Sequence, residues 1–254
     1  MDFHDYSAHP ELSDFLPIEG EGGRMLVRRG YQLWAGVLGG GGDAGGGATV
    51  SGGRVDHPVV TLPNGERAVV RQYRRGGMVR HLNSGRYFVG HRAFAELRAT
   101  ERARVGGARV PLVLAASEQP AGFGYSASLA TLWIPDSSGL SDWLRAATRE
   151  GRRVVMGAVG REIARMHAAG VAHPDLNLNN VLVAGGFGSP PLVHLLDFDK
   201  ARLYRGAAPS NRRARDLERF ARSARKLSAP IDAKGWAELC AGYGDDWPLS
   251  GPLG

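Results

Sequence analysis

One cysteine, Cys240, is the whole thiol content of this 254-residue chain. A single thiol excludes an intrachain disulfide and a cysteine metal cluster. Its place in the helical run 233–241 reads as a packed side chain rather than a nucleophile. The eight histidines show no HxxxH or similar ligand spacing, so a histidine metal centre is not expected either. No apolar run approaches the roughly 18 residues of a membrane-spanning helix. Residues 1–17 are acidic and histidine-containing rather than basic then apolar, so no secretory leader is expected. The chain reads as cytoplasmic, either soluble or peripheral to a membrane. No internal repeat is evident, and the Pro- and Gly-containing tail 245–254 is expected to fray. Lysine is missing before Lys200, and the net charge of +7 is carried almost entirely by arginine. The guanidinium fork pairs bidentately with phosphates and carboxylates, so this balance points to an anionic partner. Zinc spacing, a helix-turn-helix cue and an aromatic-basic ribonucleoprotein signature are all absent. Nucleic acid therefore ranks below an anionic membrane surface or glycolipid.

What the chain does have is concentrated in His173-Pro174-Asp175-Leu176-Asn177-Leu178-Asn179-Asn180, the apolar run Val181-Leu182-Val183, and Leu195-Leu196-Asp197-Phe198-Asp199. An acid, an amide five positions later and a second acid beyond a short apolar strand form the layout of a kinase catalytic loop and metal-binding strand. Phosphoryl transfer requires a carboxylate to orient and deprotonate the attacking hydroxyl, here Asp175. It also requires oxygen ligands that hold Mg²⁺ against the phosphates of ATP, here Asn180 and Asp197. The context agrees. Val155, Val159, Ile163 and Met166 recur at helical spacing through 154–169, and Gly170 stands where a C-cap belongs. Residues 181–183 and 192–196 read as strands joined by the turn 185–191. His167 and His173 read as structural. The bland alternative has Asp175 and Asn177 capping a turn and Asp197 ending a strand. The agreement of motif and context favours the kinase reading.

Pro174, Asn177 and Asp199 stand where protein kinases carry Arg, Lys and Gly, and little chain is available for an activation loop. These departures point to a small-molecule or glycolipid acceptor. Upstream, Val59-Val60-Thr61-Leu62 and the run 67–73 form a hairpin through Pro63-Asn64-Gly65. A kinase third strand supplies a lysine that contacts phosphates and pairs with a helical glutamate. Arg71 is the cation available for that position, with Glu96 in the helical run 92–98 as its partner. Residues 39–53 are glycine-rich without a GxGxxG pattern. They read as flexible filler whose end, Gly52-Gly53-Arg54, lies nearest the nucleotide. The fold class expected is α+β, a bilobal protein-kinase-like fold. Its small β-rich lobe would cover 1–120 and its mainly helical lobe 121–254, with 115–124 as the hinge.

Assembled, these residues make the chain resemble the Kdo kinases of the lipopolysaccharide kinase family. The resemblance runs from about Ala68 to about Leu227. It is carried by Val70-Arg71-Gln72-Tyr73-Arg74-Arg75-Gly76-Gly77, Leu82-Asn83-Ser84-Gly85-Arg86-Tyr87, Arg92-Ala93-Phe94-Ala95-Glu96-Leu97 and the His173–Leu182 loop. Leu195-Leu196-Asp197-Phe198-Asp199-Lys200 and Asp216-Leu217-Glu218-Arg219-Phe220-Ala221-Arg222-Ser223 complete it. It implies ATP- and Mg²⁺-dependent phosphorylation of the 4-hydroxyl of Kdo in Kdo-lipid IVA, on the cytoplasmic side of an inner membrane. It also implies Asp175 as catalytic base, Asn180 and Asp197 as metal ligands, and Arg71, Glu96, Gly52 and Gly53 around the nucleotide. Arg74 and Arg75 would contact the anionic sugar, and Asp199 would assist a second metal. A core heptose or an aminoglycoside-like compound as acceptor, and a glycolipid-binding pseudokinase, are the rival readings. The arginine-rich run 212–225, with Leu217, Phe220, Ala224 and Leu227 on its apolar side, is either a packed helix or one lying on a membrane; packing is favoured.

Overall fold

The structure is a computed structural model. It describes residues 9–20, 23–39, 49–52, 55–73, 92–121, 124–186 and 189–249. The chain divides into two compact units, residues 1–98 with 112–133, and residues 99–111 with 134–254.

Unit 1 is built on a seven-stranded sheet. Its strands are β1 (Phe15–Gly20), β2 (Gly23–Arg28), β3 (Thr49–Gly52), β4 (Val55–Thr61), β5 (Arg67–Tyr73), β6 (Val113–Ala121) and β7 (Gly124–Leu132). The spatial order is β1-β2-β6-β7-β5-β4-β3, with every neighbouring pair antiparallel. The expected hairpin of β4 and β5 forms with Val59 opposite Val69. Gly65 turns it at φ +84°, a conformation that costs a side-chain-bearing residue more than glycine. Along β5 the two-residue period divides the side chains between the faces. Ala68 and Val70 enter a core with Met25, Val27, Leu38, Leu114 and Ala130. Tyr73 packs on the opposite core, where Phe94 and Leu97 meet Leu12, Phe15, Leu26 and Leu129. Those two residues come from the helix α1 (Arg92–Val105).

In the segment 115–124, expected to be a hinge, residues 115–121 and Gly124 are instead strand residues of this sheet. Ala115 and Ala116 are fully buried, and Ala116 pairs with Leu129. The physical reason is the run Leu112-Val113-Leu114-Ala115-Ala116. It is apolar at every position and is covered on both faces, as a central strand requires. The β1–β2 hairpin was not anticipated; it adds two strands beyond β6.

Unit 2 centres on α3 (Arg149–Ala168), which follows β8 (Ser137–Gly139) and α2 (Leu140–Ala146). The Thr148 hydroxyl accepts the Gly151 N–H at its start, and Gly170 at φ +80° ends it. A Cβ at Gly170 would stand 2.4 Å from the Gly206 carbonyl oxygen, so both φ and space demand glycine there. Next come β9 (Val171–Ala172), β10 (Val181–Ala184), β11 (Leu192–Leu195) and β12 (Arg202–Leu203), then α4 (Ser210–Lys226) and α5 (Ala233–Tyr243). β10 pairs with β11 and β8, and β12 with β9. α3 and α5 meet backbone to backbone: a Cβ on Gly160 would lie 2.1 Å from the Leu239 carbonyl oxygen.

α4 resolves the choice left open for its sequence. Leu217, Phe220 and Ala224 are buried in the unit 2 core beside Trp236 and Leu239. The apolar side therefore packs on protein, while Arg215, Arg219, Arg222 and Arg225 remain exposed.

Candidate active site

The candidate catalytic loop runs from β9 to β10, and its backbone is held from two sides. From below, Asp216 of α4 is 3% exposed and accepts the backbone N–H of His173 at 2.6 Å. Its Oδ2 also lies 3.2 Å from Nε2 of His167, whose Nδ1 is 2.8 Å from the Tyr243 hydroxyl. A buried carboxylate is tolerated only when so partnered. Burial holds the His167 imidazole below its ordinary pKa against the opposing pull of Asp216, so the ring is neutral near pH 7. Two helical turns further on, the Ser223 hydroxyl accepts the N–H of Leu178 at 3.2 Å. From the other side, Nε2 of the fully buried His173 meets the Leu196 carbonyl at 2.9 Å. Its ring centroid is 5.1 Å from that of Phe198.

Asp175 projects from this anchored loop with a quarter of its side chain exposed. Both carboxylate oxygens are engaged. Arg219 of α4 donates to Oδ1, and Nζ of Lys200 lies 3.5 Å from Oδ2. Burial alone would raise the Asp175 pKa. The hydrogen bond and charge of Arg219, reinforced by Lys200, outweigh it and hold the carboxyl below its usual range. The amides of Asn177 and Asn180 both donate to the Asp175 carbonyl, at 2.7 and 3.0 Å. This commits the amine side of Asn180 to the loop and turns its amide oxygen into the donor available to a cation. The Leu196 N–H donates to the Asn180 carbonyl at 2.9 Å, which ties the end of β11 to the loop one residue before Asp197. Asp197 adopts φ +63°. A non-glycine residue in that region is strained, and it persists because the His173 bond to Leu196 and the buried ring of Phe198 fix its neighbours.

An amide oxygen and a carboxylate are hard donors that suit Mg²⁺. That ion keeps several waters and takes one or two carboxylates plus substrate phosphates, rather than a closed protein cage. No cluster of three or more His, Cys, Asp or Glu able to hold a metal occurs among the described residues.

In unit 1 the structure joins the expected cation and acid. Arg71 donates to Glu96, which is 2% exposed, and to the Tyr73 hydroxyl. Its guanidinium carbon stands 4.8 Å from the Tyr73 ring centroid, and that of Arg92 stands 4.9 Å from it. Burial, with the charge of Glu96 added, pushes the Tyr73 phenol well above its ordinary pKa over the opposing pull of Arg71. It stays a neutral donor to Glu96. Gly52 ends β3 and pairs with Val55 of β4, two strands from Arg71. Gly53, Arg74 and Arg75 lie outside the described residues.

The roles of Asp216, Arg219 and Lys200 were not read from the sequence, although each was in view. A signal existed for Asp216. It lies on the stripe with Leu217, Phe220, Ser223 and Ala224, and an acid on a core-facing stripe needs buried donors. Cys240 is partly buried, and burial raises its thiol, in keeping with packing.

Comparison with known proteins gives the family of the chain. Residues 57–243 match the family described as lipopolysaccharide kinase (Kdo/WaaP). A 3-deoxy-D-manno-octulosonic acid kinase of Xanthomonas oryzae pv. oryzae (strain PXO99A) is 40% identical over 182 residues, 69% of this chain and 68% of the relative. The protein of the same description from Photobacterium profundum is 35% identical over 188 residues, 72% and 75% of the two chains. A solved structure described as WaaP in complex with acyl carrier protein superposes with a TM-score of 0.61 over 87% of this chain and 88% of its own. At 18% identity that likeness speaks for the fold, which is α+β and kinase-like. Sequence and architecture thus agree: the chain belongs to the lipopolysaccharide kinase (Kdo/WaaP) family.

Proposed function

We propose that this chain transfers the γ-phosphoryl group of ATP to a hydroxyl of Kdo in lipopolysaccharide biosynthesis, with the 4-hydroxyl of Kdo-lipid IVA as the acceptor. The observation that carries the reading is Asp175: a part-exposed, ionised carboxylate on a loop pinned by Asp216, His173, Asn177 and Asn180, in a chain matching this family over 57–243.

Asp175 orients the sugar hydroxyl and takes its proton as the oxygen–phosphorus bond forms and the bond to the β-phosphate oxygen breaks, releasing ADP. Asn180 and Asp197 would hold Mg²⁺, which when bound would offset charge on the phosphates. Arg71 grips phosphate, and Glu96 and Tyr73 fix the direction of its fork. The β3–β4 turn, with Gly52 and Gly53, brings backbone N–H groups to the nucleotide. Support for that role comes from the sheet order, in which this hairpin adjoins the strand bearing Arg71. Arg74 and Arg75 contact the anionic sugar, and Asp199 assists a second cation. The exposed Arg215, Arg222 and Arg225 of α4 meet anionic headgroups at the cytoplasmic face of the inner membrane, where the protein sits peripherally. No helix among the described residues is long and apolar enough to cross a membrane.

The test is transfer of labelled γ-phosphate to Kdo-lipid IVA by the native chain and by Asp175→Ala. The native chain labels the lipid; the variant loses on the order of 10²–10⁴-fold in rate. Equal labelling by both would overturn the assignment of Asp175. No labelling by the native chain despite ATP binding would overturn the acceptor.

A further inference from the structure

A general base must present a free oxygen to the hydroxyl it serves, yet here neither Asp175 oxygen is open. Arg219 holds one and Lys200 approaches the other at 3.5 Å. The pair with Arg219 is not a buried structural lock. Arg219 is 47% and Lys200 66% exposed in their side chains, and half-exposed pairs are weakly held and easily exchanged. The base of Arg219 is nonetheless rigid. Asp216, one turn before it, binds the His173 N–H, and Ser223, one turn after, binds the Leu178 N–H. The guanidinium therefore stays beside the loop whatever it pairs with.

A substrate carrying its own carboxylate can replace Asp175 in that pairing, one carboxylate for another, and a neutral sugar cannot. We propose that Arg219 is the acceptor-recognition residue of this site: it caps Asp175 in the free protein and passes to the carboxylate of the incoming sugar acid, uncovering the base. Lys200 supports the same exchange from the second oxygen. The ligand class is a 2-keto sugar acid or its glycoside, and the carboxylate is the selected feature. This rests on the Kdo reading above and adds to it the residue that distinguishes a sugar acid from a neutral sugar. Arginine suits the role because its fork matches a carboxylate through two parallel hydrogen bonds, which a lysine cannot reproduce.

The experiment compares Kdo-lipid IVA with the same lipid esterified at the Kdo carboxyl, for the native chain, Arg219→Gln and Arg219→Lys, reading kcat and KM separately. The native chain is expected to prefer the free acid by about 100-fold in kcat/KM, since a site built for a charged group rejects analogues lacking it. In Arg219→Gln the preference shrinks to a few-fold, mainly through a higher KM for the acid, while turnover of the ester is kept or rises. Arg219→Lys recovers part of the preference. A glutamine variant that slows both acceptors alike, with the preference intact, would show Arg219 to be only a prop for the loop and overturn the proposal. Should the native chain phosphorylate neither lipid, the Kdo reading fails by itself. Equilibrium binding of free Kdo against its methyl ester then judges Arg219: a native preference for the acid that Arg219→Gln abolishes supports the exchange, and identical binding by both chains refutes it.

Discussion

Asp216 is the residue on which the catalytic loop most depends without touching a substrate, and Asp216→Asn isolates that dependence. Its carboxylate accepts the His173 N–H at 2.6 Å and faces His167 at 3.2 Å, while being 3% exposed. Hydrogen bonds to a charged acceptor contribute about 1.5–3 kcal/mol each, and neutral ones about 1 kcal/mol. Both contacts fall on Oδ2, so asparagine keeps a neutral acceptor there but puts an amine in place of the buried Oδ1. The expected loss is about 2–3 kcal/mol, combining the weakened bond with one donor left poorly matched. For a domain of this size about 1 kcal/mol lowers Tm by about 2–4 °C, so a fall of roughly 4–12 °C follows. His173 lies two residues from Asp175, and a shift of about 1 Å at a reacting group costs on the order of 100-fold in kcat. Thermal unfolding and steady-state kinetics on the same preparation check both numbers. KM for ATP should hold, because Asp216 acts on the loop and not on the nucleotide. A Tm within 1 °C of native together with kcat within about threefold would refute the argument that this carboxylate organises the loop.

Arg71→Lys retains a cation but loses the planar fork and its packing over the Tyr73 ring; kcat/KM for ATP should fall about 10–100-fold, and an unchanged value would remove Arg71 from the nucleotide site. Burial depresses the folded pKa of His167 below its ordinary 6.5. Its contribution is therefore fully present above that value and is lost as pH falls from 6.5 towards the folded pKa. Urea unfolding at pH 8 and at pH 5.5 should show this loss, and a His167→Gln chain should show a smaller one; equal slopes would discount the histidine. Gly160→Ala drives a Cβ to 2.1 Å from the Leu239 carbonyl and should cost about 1–3 kcal/mol. Gly36→Ala, with nothing within 4 Å, should be neutral or slightly stabilising, which a denaturation series would confirm or deny.

Legibility in the sequence followed how local each signal was. The Gly170 terminus of α3, the β4–β5 hairpin and the β10–β11 hairpin rest on periodicity and turn residues inside short windows, and the structure has them where expected; α3 itself begins at Arg149, five residues before the expected 154. The Arg71–Glu96 pair is 25 residues apart in sequence, but a strand-then-helix order was enough to suggest it. The misreading of 115–124 came from small residues. Ala115, Ala116 and Ser117 resemble linker composition, whereas in the sheet they are buried. Nothing within residues 15–28 announced a hairpin, because Gly20 and Gly23 are part of a wider glycine-rich composition and the partner strand β6 lies about ninety residues away. Asp216, Arg219 and Ser223 were visible only as members of a basic helix. Their function depends on which side of α4 faces residues 173–178, and that is a tertiary fact.

At the position proposed to grip phosphate, arginine in place of lysine is also understandable from its neighbours. A lysine needs one glutamate to point it, because its ammonium is a single point charge on a flexible stem. The guanidinium is planar, so a second contact is required to set the plane as well as the direction. Tyr73, two residues along the same face of β5, supplies that contact twice over: its hydroxyl receives a hydrogen bond from Nη2 and its ring lies under the guanidinium. Its phenol in turn donates to Glu96, so the acid is shared between two donors and held in place by both. Arg71, Tyr73 and Glu96 therefore work as one unit, and neither Arg71→Lys nor Tyr73→Phe is conservative. Removing the hydroxyl alone leaves the ring and the ion pair but frees the plane to rotate. A phosphate site built on orientation should then lose affinity, while one built on charge alone should not.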